Sequence, residues 1–105
     1  MDSGWLLADG EAVASAQQVR TFKERRRATQ SARRGEIAVV LRAPAVVLGP
    51  LDVITVKEGT ATGVRCAGRR PVCVVRRGTV VVVGPGTAER HGVRPGSAVE
   101  LRWAT

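Results

Sequence analysis

The stretch Thr79-Val80-Val81-Val82-Val83 is the most strand-like run of this 105-residue chain, and Gly84-Pro85-Gly86 ends it. β-Branched residues fit the pleated surface of a sheet, whereas glycine and proline are typical of turns. Valine occurs 18 times. Short apolar runs separated by turn residues also occur at residues 37–41, 45–48, 51–57, 62–66 and 72–75. The sequence therefore predicts a mainly β fold.

The two ends of the chain add further strands. Trp5-Leu6-Leu7 and residues 11–16 flank Asp9-Gly10, which is a strong signal for a two-residue hairpin turn. Residues 98–103 close the chain as a strand. About eight short strands separated by turns predict a small β-barrel or β-sandwich. The length corresponds to a single domain, residues 1–105.

Two segments favour helix. Residues 17–31 lack glycine and proline, and they predict one surface helix over about residues 19–30. Its apolar face is weak, with Val19, Phe22 and Ala28, so Phe22 is expected to be the main anchor. Residues 87–91 predict a short helical turn, with Thr87 capping its start and Gly92 supplying the left-handed residue after it.

The net charge of +8 is concentrated in two segments. Residues 20–34 contain seven basic side chains and one acid, and residues 65–77 contain five arginines and no acid. We expect the second segment to be a hairpin that joins the strands 62–66 and 72–75. Concentrated positive charge attracts polyanions. The alternative is a solvated surface that keeps a valine-rich protein in solution.

If the basic segments bind a polyanion such as a nucleic-acid backbone, six side chains are the candidates: Arg20, Lys23, Arg26, Arg27, Arg69 and Arg70. Arg20, Lys23 and Arg27 are spaced to fall on one side of a helix. Phe22 is the only aromatic residue in either basic segment. We therefore expect contacts to phosphates rather than stacking on bases.

Asp52 is a candidate site carboxylate because it interrupts an apolar strand between Leu51 and Val53. A buried acid needs a partner. Alternation places Asp52 on the same face as Ile54 and Val56. The alternative is a structural acid bonded to backbone or to an arginine such as Arg42.

The remaining polar residues do not predict an enzyme. His91 is the single histidine, so a metal site is poorly supported, and it is expected at the end of the short helical turn. Ser97, His91 and Asp52 could supply a nucleophilic triad, but no nucleophile turn marks the sequence. Gly84-Pro85-Gly86-Thr87 lacks the ending of a phosphate loop. We expect no catalytic residue, no metal and no cofactor.

Cellular location is inferred from the N-terminus and the cysteines. The first thirteen residues lack the basic segment of a secretory signal, and no apolar run is long enough to span a membrane. A cytoplasmic location without membrane attachment is expected. Cys66 and Cys73 could pair across the predicted hairpin, but thiols stay reduced in the cytoplasm, which favours free cysteines.

The tail VVVVGPGTAERHGVRPGSAVEL, residues 80–101, resembles the end of the family called domain of unknown function 192. Members of that family end with a strand, "LPAGTA", a short helix, "GLRPGD" and a last strand. Pro50-Leu51-Asp52-Val53 resembles the family's Pro-Ile-Asp-Val segment, and residues 6–34 resemble its opening hairpin and helix. The family's His-Thr-x-Gly-Met-x-Phe stretch is replaced here by AVVLG, residues 45–49. The resemblance implies a small β-barrel or sandwich with one or two short helices and no assigned activity.

These observations favour a small non-enzymatic β domain that acts as a binding or accessory module, divergent from the family it resembles. Nucleic-acid or other polyanion binding through the basic helix 20–34 and hairpin 65–77 is the alternative. The expected partner is an unknown protein or a nucleic-acid backbone. A valine-rich edge at residues 79–83 would also allow a homodimer.

Overall fold

A computed structural model describes residues 2–66 and 72–104, without the side chains of Asp2, Phe22, Leu48, Cys66 and Val72. Within these residues the chain folds into nine strands and two helices. The elements are, in order, β1 (Asp2–Ala8), β2 (Glu11–Gln18), α1 (Phe22–Arg33), β3 (Ile37–Arg42), β4 (Ala45–Leu48), β5 (Asp52–Lys57), β6 (Thr60–Cys66), β7 (Val72–Val75), β8 (Thr79–Val83), α2 (Thr87–Arg90) and β9 (Val99–Trp103). The expected mainly β class, with one longer and one short helix, is confirmed.

Seven strands form one sheet in the order β6-β5-β8-β3-β2-β1-β9, and β4 pairs with β7 in a separate two-stranded sheet. Neighbouring strands are antiparallel except β2 and β3, which are parallel. A parallel pair needs a crossover connection, and α1 provides it. The helix therefore lies across one face of the large sheet, next to β3 and β8.

The large sheet curls until its two edges meet at one end. A β-bridge joins Thr60 to Ala98. The backbone nitrogen of Ala61 donates to the carbonyl of Ser97 at 2.9 Å, and that of Val99 donates to Gly59 at 2.8 Å. These bonds connect the start of β6 to the start of β9, so the sheet forms a half-barrel.

Both faces of the sheet are buried, which explains the continuous apolar runs. In β8, Val80 and Val82 point to one face and Val81 and Val83 to the other. The first face, covered by α1 and the β4–β7 sheet, forms what we call the outer core. The second face collects side chains from strands across the whole curl, together with α2, and we call it the inner core.

The hairpin turn at Asp9-Gly10 forms as expected. Both residues have positive φ, 50° and 84°, and Ala8 pairs directly with Glu11. Two consecutive positive φ angles match the twist of the flanking strands, and Asp-Gly tolerates them. The carboxylate of Asp9 also accepts a hydrogen bond from the backbone nitrogen of Ala98 at 3.0 Å, which ties the turn to the entry of β9.

Helix α1 begins three residues later than expected, at Phe22, and runs on to Arg33. Thr21 is the N-cap, and its hydroxyl accepts from the nitrogen of Glu24 at 3.3 Å. The Glu24 carboxylate accepts in return from the backbone nitrogens of Arg20 and Thr21, at 3.1 and 3.3 Å. These bonds, that from Arg20 most strongly, lower the pKa of Glu24. The sequence Thr-x-x-Glu is the signature of this capping box.

Among the described side chains of α1, the buried ones are those of Ala28 and Ala32. Val19 is buried too, but it precedes the helix, and its nitrogen donates to the carbonyl of Val40 at 3.1 Å. The prediction that Val19 belongs to the helix is therefore wrong, because Val19 follows directly on the end of β2 and is still hydrogen-bonded to β3. The expected anchor, the side chain of Phe22, lies outside the described side chains.

The short helix α2 differs from expectation at its start and agrees at its end. Gly86, with φ of 83°, is the N-cap, and Thr87 is the first helical residue, so Thr87 does not cap the helix. Gly92 has φ of 66°; its nitrogen donates to Glu89, and that of Val93 donates to Ala88. This bond pattern is a Schellman motif, which satisfies the last carbonyls of the helix.

Two predicted strand relationships are wrong. Strands β6 and β7 do not form a hairpin, because β6 pairs with β5 whereas β7 pairs with β4. The β4–β7 sheet instead buries Ala45, Val47, Cys73 and Val75 in the outer core. The connecting residues 67–71 lie outside the described residues. Strand β8 is central, between β3 and β5, so it offers no free edge for a homodimer.

Across the described ranges, neither helix has the length and apolar character needed to cross a membrane.

Candidate ligand-binding groove

The two-stranded sheet β4–β7 presents a pair of exposed valines on its outer side. Val46 and Val74 lie opposite each other in the register and are 58% and 52% exposed. Their neighbours in sequence point inward, because successive side chains of a strand alternate between faces. Exposed valines directly opposite one another form a small apolar surface above the outer core.

A groove of about 800 Å³ separates α1 from this sheet, and we call it the α1 groove. Its floor includes Leu41 and Val82, which belong to the outer core. Its other walls are apolar residues of the β4–β7 sheet and polar residues of the helix: Pro44, Ala45, Val46, Val47, Val74, Thr29, Gln30, Arg25, Arg26 and Arg33. Ligand sites in proteins have this size and this mixture of an apolar lining with a few polar groups.

Three arginines of α1 supply the charge of the α1 groove. Arg25, Arg26 and Arg33 line it, and the lining contains no aspartate or glutamate among the residues that the structure describes. Spacings of four and eight residues place Arg25, Thr29 and Arg33 along one side of the helix. The guanidinium of Arg33 lies against Gly49, where a Cβ atom would come within 2.8 Å of its Cζ. Glycine at position 49 therefore makes room for this arginine.

Arg25 stands out among these cations. Its Nε is buried and has no hydrogen-bond partner, the single side-chain atom of this kind in the described part of the protein. A buried donor without a partner is costly, more so when the group is charged. Arg25 also lines the α1 groove, whose described lining holds no acid.

A second cavity of about 460 Å³, which we call the β7 cleft, lies between the end of β7 and the strands β5 and β6. Arg65, Arg76 and Arg77 line it. The hydroxyls of Thr55 and Thr62, also in its lining, lie 3.1 Å apart. Val74 contributes to both cavities, so the two openings flank the β4–β7 sheet.

The predicted polyanion-binding residues do not form one group among the residues that the structure describes. Arg26 lines the α1 groove, whereas Lys23 and Arg27 are exposed elsewhere on the helix surface. Arg20 precedes the helix, and its backbone nitrogen takes part in the capping box. Arg69 and Arg70 lie outside the described residues. The cations that come together are instead Arg25, Arg26 and Arg33 on one side of the small sheet and Arg65, Arg76 and Arg77 on the other.

Asp52 is 2% exposed at the start of β5. Its Oδ2 accepts a hydrogen bond from the backbone nitrogen of Ala88 at 3.0 Å. Ile54 and Val56 share its face of the sheet, as alternation predicts, and Leu51 and Val53 belong to the outer core. Asp52 lines neither the α1 groove nor the β7 cleft. This geometry is that of the structural alternative, an acid bonded to backbone.

His91 and Ser97 each have a local structural position. His91 is exposed at the C-cap of α2. Ser97 is buried, and its hydroxyl accepts from the nitrogen of Arg94 at 3.0 Å. Within the described ranges, no three histidine, cysteine, aspartate or glutamate residues gather where they could hold a metal ion.

Cys73 is a buried free thiol on the inner side of the β4–β7 sheet. The guanidinium of Arg65 lies 3.9 Å from its sulfur. The side chain of Cys66, the other cysteine, lies outside the described side chains.

Arg25, Arg33, Val46 and Val74 were not singled out from the sequence. A signal existed for the valines, since strict alternation in two short strands predicts one exposed residue in each. For the arginines, the spacing from Arg25 to Arg33 indicates a shared side of the helix, but nothing in the sequence shows what faces that side.

No protein-family model matches the sequence, and no curated protein matches it. Two solved structures share the fold. One is a protein from Sinorhizobium meliloti 1021 named as a "putative transcription regulator", with a TM-score of 0.63 and 16% identity over 95% of this chain and 92% of that one. The other is a protein of unknown function from Novosphingobium aromaticivorans, with a TM-score of 0.57 and 20% identity over 95% and 84%. At these identities the likeness shows the fold alone.

Proposed function

We propose that this protein is a small non-enzymatic binding domain and that the α1 groove is its ligand site. This proposal depends mainly on the groove itself, which has a volume of about 800 Å³. Core side chains form its floor, and one helix and one small sheet form its walls. Walls made of regular elements hold a site more precisely than loops do. An apolar floor with polar groups on one side suits a ligand that has an apolar body.

The test is a titration of isotope-labelled protein, followed by NMR, with three probes of equal chain length and different head groups: decanol, decanoate and decylamine. We expect at least one probe to shift the amide signals of residues 25–33 and 45–47 in a saturable manner. Val46→Glu places a carboxylate on the apolar wall beside the groove arginines and should weaken the binding of decanol and decanoate. Val46→Gln, of the same size and uncharged, is its matched control. If no probe moves these signals in the folded protein, the α1 groove is not a ligand site.

We propose polyanion binding as the second candidate, centred on the β7 cleft. Arg65, Arg76 and Arg77 converge there beside the Thr55 and Thr62 hydroxyls, which are groups that contact phosphates. The exposed Lys23 and Arg27 of α1 add positive charge to the surface. The description of the Sinorhizobium neighbour as a regulator is a further reason to test nucleic acid.

Polyanion binding is tested by measuring affinity for duplex and single-stranded DNA over a range of salt concentrations. Each cation that no longer neutralises a phosphate reduces the slope of log affinity against log salt by about 0.7–0.9. Changing Arg65, Arg76 and Arg77 together to glutamine should reduce that slope. The matched control changes three exposed arginines outside the cleft and should leave the slope unchanged: Arg90 on α2, Arg94 between α2 and β9, and Arg102 on β9. An equal reduction in both variants would mean that only net charge matters, and no binding at low salt would remove this candidate.

We also propose that the chain is a divergent member of the domain of unknown function 192 family and that it acts in the cytoplasm. The tail that carries the resemblance, residues 80–101, forms β8, α2 and most of β9, in the order strand, short helix, strand.

A further inference from the structure

We infer that the ligand of the α1 groove is an amphiphilic carboxylate, whose negative head is held by Arg25 while its apolar chain lies against Val46, Val74 and the floor of the groove. This inference rests on the proposed binding function. It adds to that function the charge of the ligand, the residue that recognises the charge and the direction in which the ligand lies.

The charge follows from the groove lining. Three arginines line the α1 groove, and the described lining includes no acid. A cation at the edge of an apolar cavity interacts with its counter-charge more strongly than one in open water, because the low-dielectric walls weaken screening. A neutral ligand would gain nothing from this positive potential, and a cationic ligand would be repelled by it.

The recognising residue follows from its hydrogen bonds. Arg25 has a buried Nε without a partner, so its guanidinium is partly removed from water in the free protein with no compensating bond at that atom. A carboxylate presents two acceptor oxygens that match the paired donors of a guanidinium. Because Nε is covered by protein atoms, the head group would pair with the terminal nitrogens of Arg25. The positive charge of this arginine, in a groove whose described lining holds no acid, favours an anion over a neutral group.

The apolar part follows from the opposite wall. Val46 and Val74 are both about half exposed, yet they lie beside the groove and opposite each other in register. Leu41 and Val82 continue this apolar surface downward into the outer core. A chain lying here would cover both exposed valines while its head group stays at the helix.

The experiment compares decanoate, decanol and acetate by calorimetry and NMR on the full chain. We expect decanoate to bind roughly tenfold or more tightly than decanol, because a hydrogen bond to a charged group has about that effect. Acetate, which has the head without the chain, should not bind measurably. The Arg25→Met variant keeps the stem and removes the guanidinium, and it should reduce the preference for decanoate over decanol to about one.

Two controls separate recognition from folding and from net charge. Arg27→Met changes an exposed arginine of the same helix that does not line the groove, and it should keep the preference. Arg25→Met should melt at the same temperature as the wild type or higher, because it removes a buried donor without a partner. If decanol binds as tightly as decanoate, the groove is a ligand site but the inference is wrong. If neither binds, the proposed function fails as well. If Arg25→Met keeps the preference, another cation recognises the head group and the assignment to Arg25 is wrong.

Discussion

The Oδ2 atom of Asp52 in β5 accepts a hydrogen bond from the backbone nitrogen of Ala88 in α2, at 3.0 Å, across 36 residues of sequence. Helix α2 lacks a side-chain cap of its own, since Gly86 occupies the N-cap position. Its first-turn nitrogen is satisfied by a distant strand. A negative group at a helix N-terminus is also favoured by the aligned peptide dipoles. The one buried acid of the described residues thus fastens α2 to the sheet.

Asp52→Ala should therefore destabilise the protein by about 2–3 kcal/mol, because it leaves the buried nitrogen of Ala88 without an acceptor. Asp52→Asn retains an acceptor oxygen and should cost about 1 kcal/mol. Urea denaturation of both variants measures the difference. A loss below about 0.5 kcal/mol for the alanine variant, the range of ordinary surface changes, would contradict the structural role. A fully stable Asp52→Asn variant with altered ligand binding would favour the site carboxylate instead.

The capping box of α1 should be worth about 1 kcal/mol. Thr21→Ala removes the hydroxyl that accepts from the nitrogen of Glu24 and should lower the free energy of unfolding by that amount. Urea denaturation measures the change. Thr21→Ser keeps the acceptor and should stay close to the wild type. An alanine variant as stable as the serine variant would show that this cap contributes nothing.

The same box should respond to pH through Glu24. Its pKa is lowered because the carboxylate accepts from the nitrogens of Arg20 and Thr21. A lowered pKa in the folded state means that the stabilisation is fully present above the ordinary glutamate pKa of about 4.3 and is lost as the pH falls through the lower folded value. At about pH 6 the urea midpoint of the wild type should be higher than that of Glu24→Gln. The difference between the two midpoints should become smaller at about pH 3. A gap independent of pH would contradict a role for the ionised carboxylate.

The register of β4 can be tested by two adjacent valines. Val47 is buried in the outer core, whereas Val46 is exposed. Val47→Ala should cost about 2 kcal/mol, because it removes two buried methyl equivalents and leaves a cavity. Val46→Ala should stay within about 0.5 kcal/mol. Since a shift by one residue exchanges the two faces of a strand, the opposite ranking would mean that β4 pairs one residue out of register.

Hydrogen exchange should separate the two sheets. Strand β8 is bonded on both sides, to β3 and β5, and all its residues after Thr79 are buried. Its amides should be among the slowest to exchange, and those of β4, which has a single partner in β7, should exchange faster. The nitrogens of Ala61 and Val99 should also be protected, because they close the half-barrel. Fast exchange at both would show that the edges of the sheet separate in solution.

Local pattern was sufficient for much of the architecture. The run at residues 79–83, the Asp-Gly turn and the apolar segment 37–41 predicted strands and a turn that are present. The predicted start of α1 was wrong, although Thr21 and Glu24 match the sequence pattern of a capping box. The error arose because the spacing of Val19 also fits the apolar face of the helix. The role of Asp52 as a structural acid bonded to backbone was among the alternatives, but its partner was not.

The candidate site was less predictable. Charge density along the sequence indicates two basic segments, yet the cations that line the two cavities are not those chosen by helical spacing. Arg25 and Arg33 face the groove because α1 crosses the sheet at one particular rotation, and that rotation is set by Ala28 and Ala32 packing on the outer core. Arg65 and Arg76 line the same cavity because the end of β7 lies beside β5 and β6, although β7 pairs with β4.

Side-chain alternation, capping residues and glycine act within a few neighbouring positions, and they are enough to predict which segments form strands, which two form helices and where the chain turns. Long-range packing alone makes β2 and β3 run parallel, pairs β7 with β4 rather than with β6 and curls the sheet onto its own edge. Strand pairing joins residues far apart in the chain, and a valine-rich strand fits many partners equally well. The choice among them depends on which arrangement buries both faces of the sheet at once, a property of the whole fold that no local stretch contains.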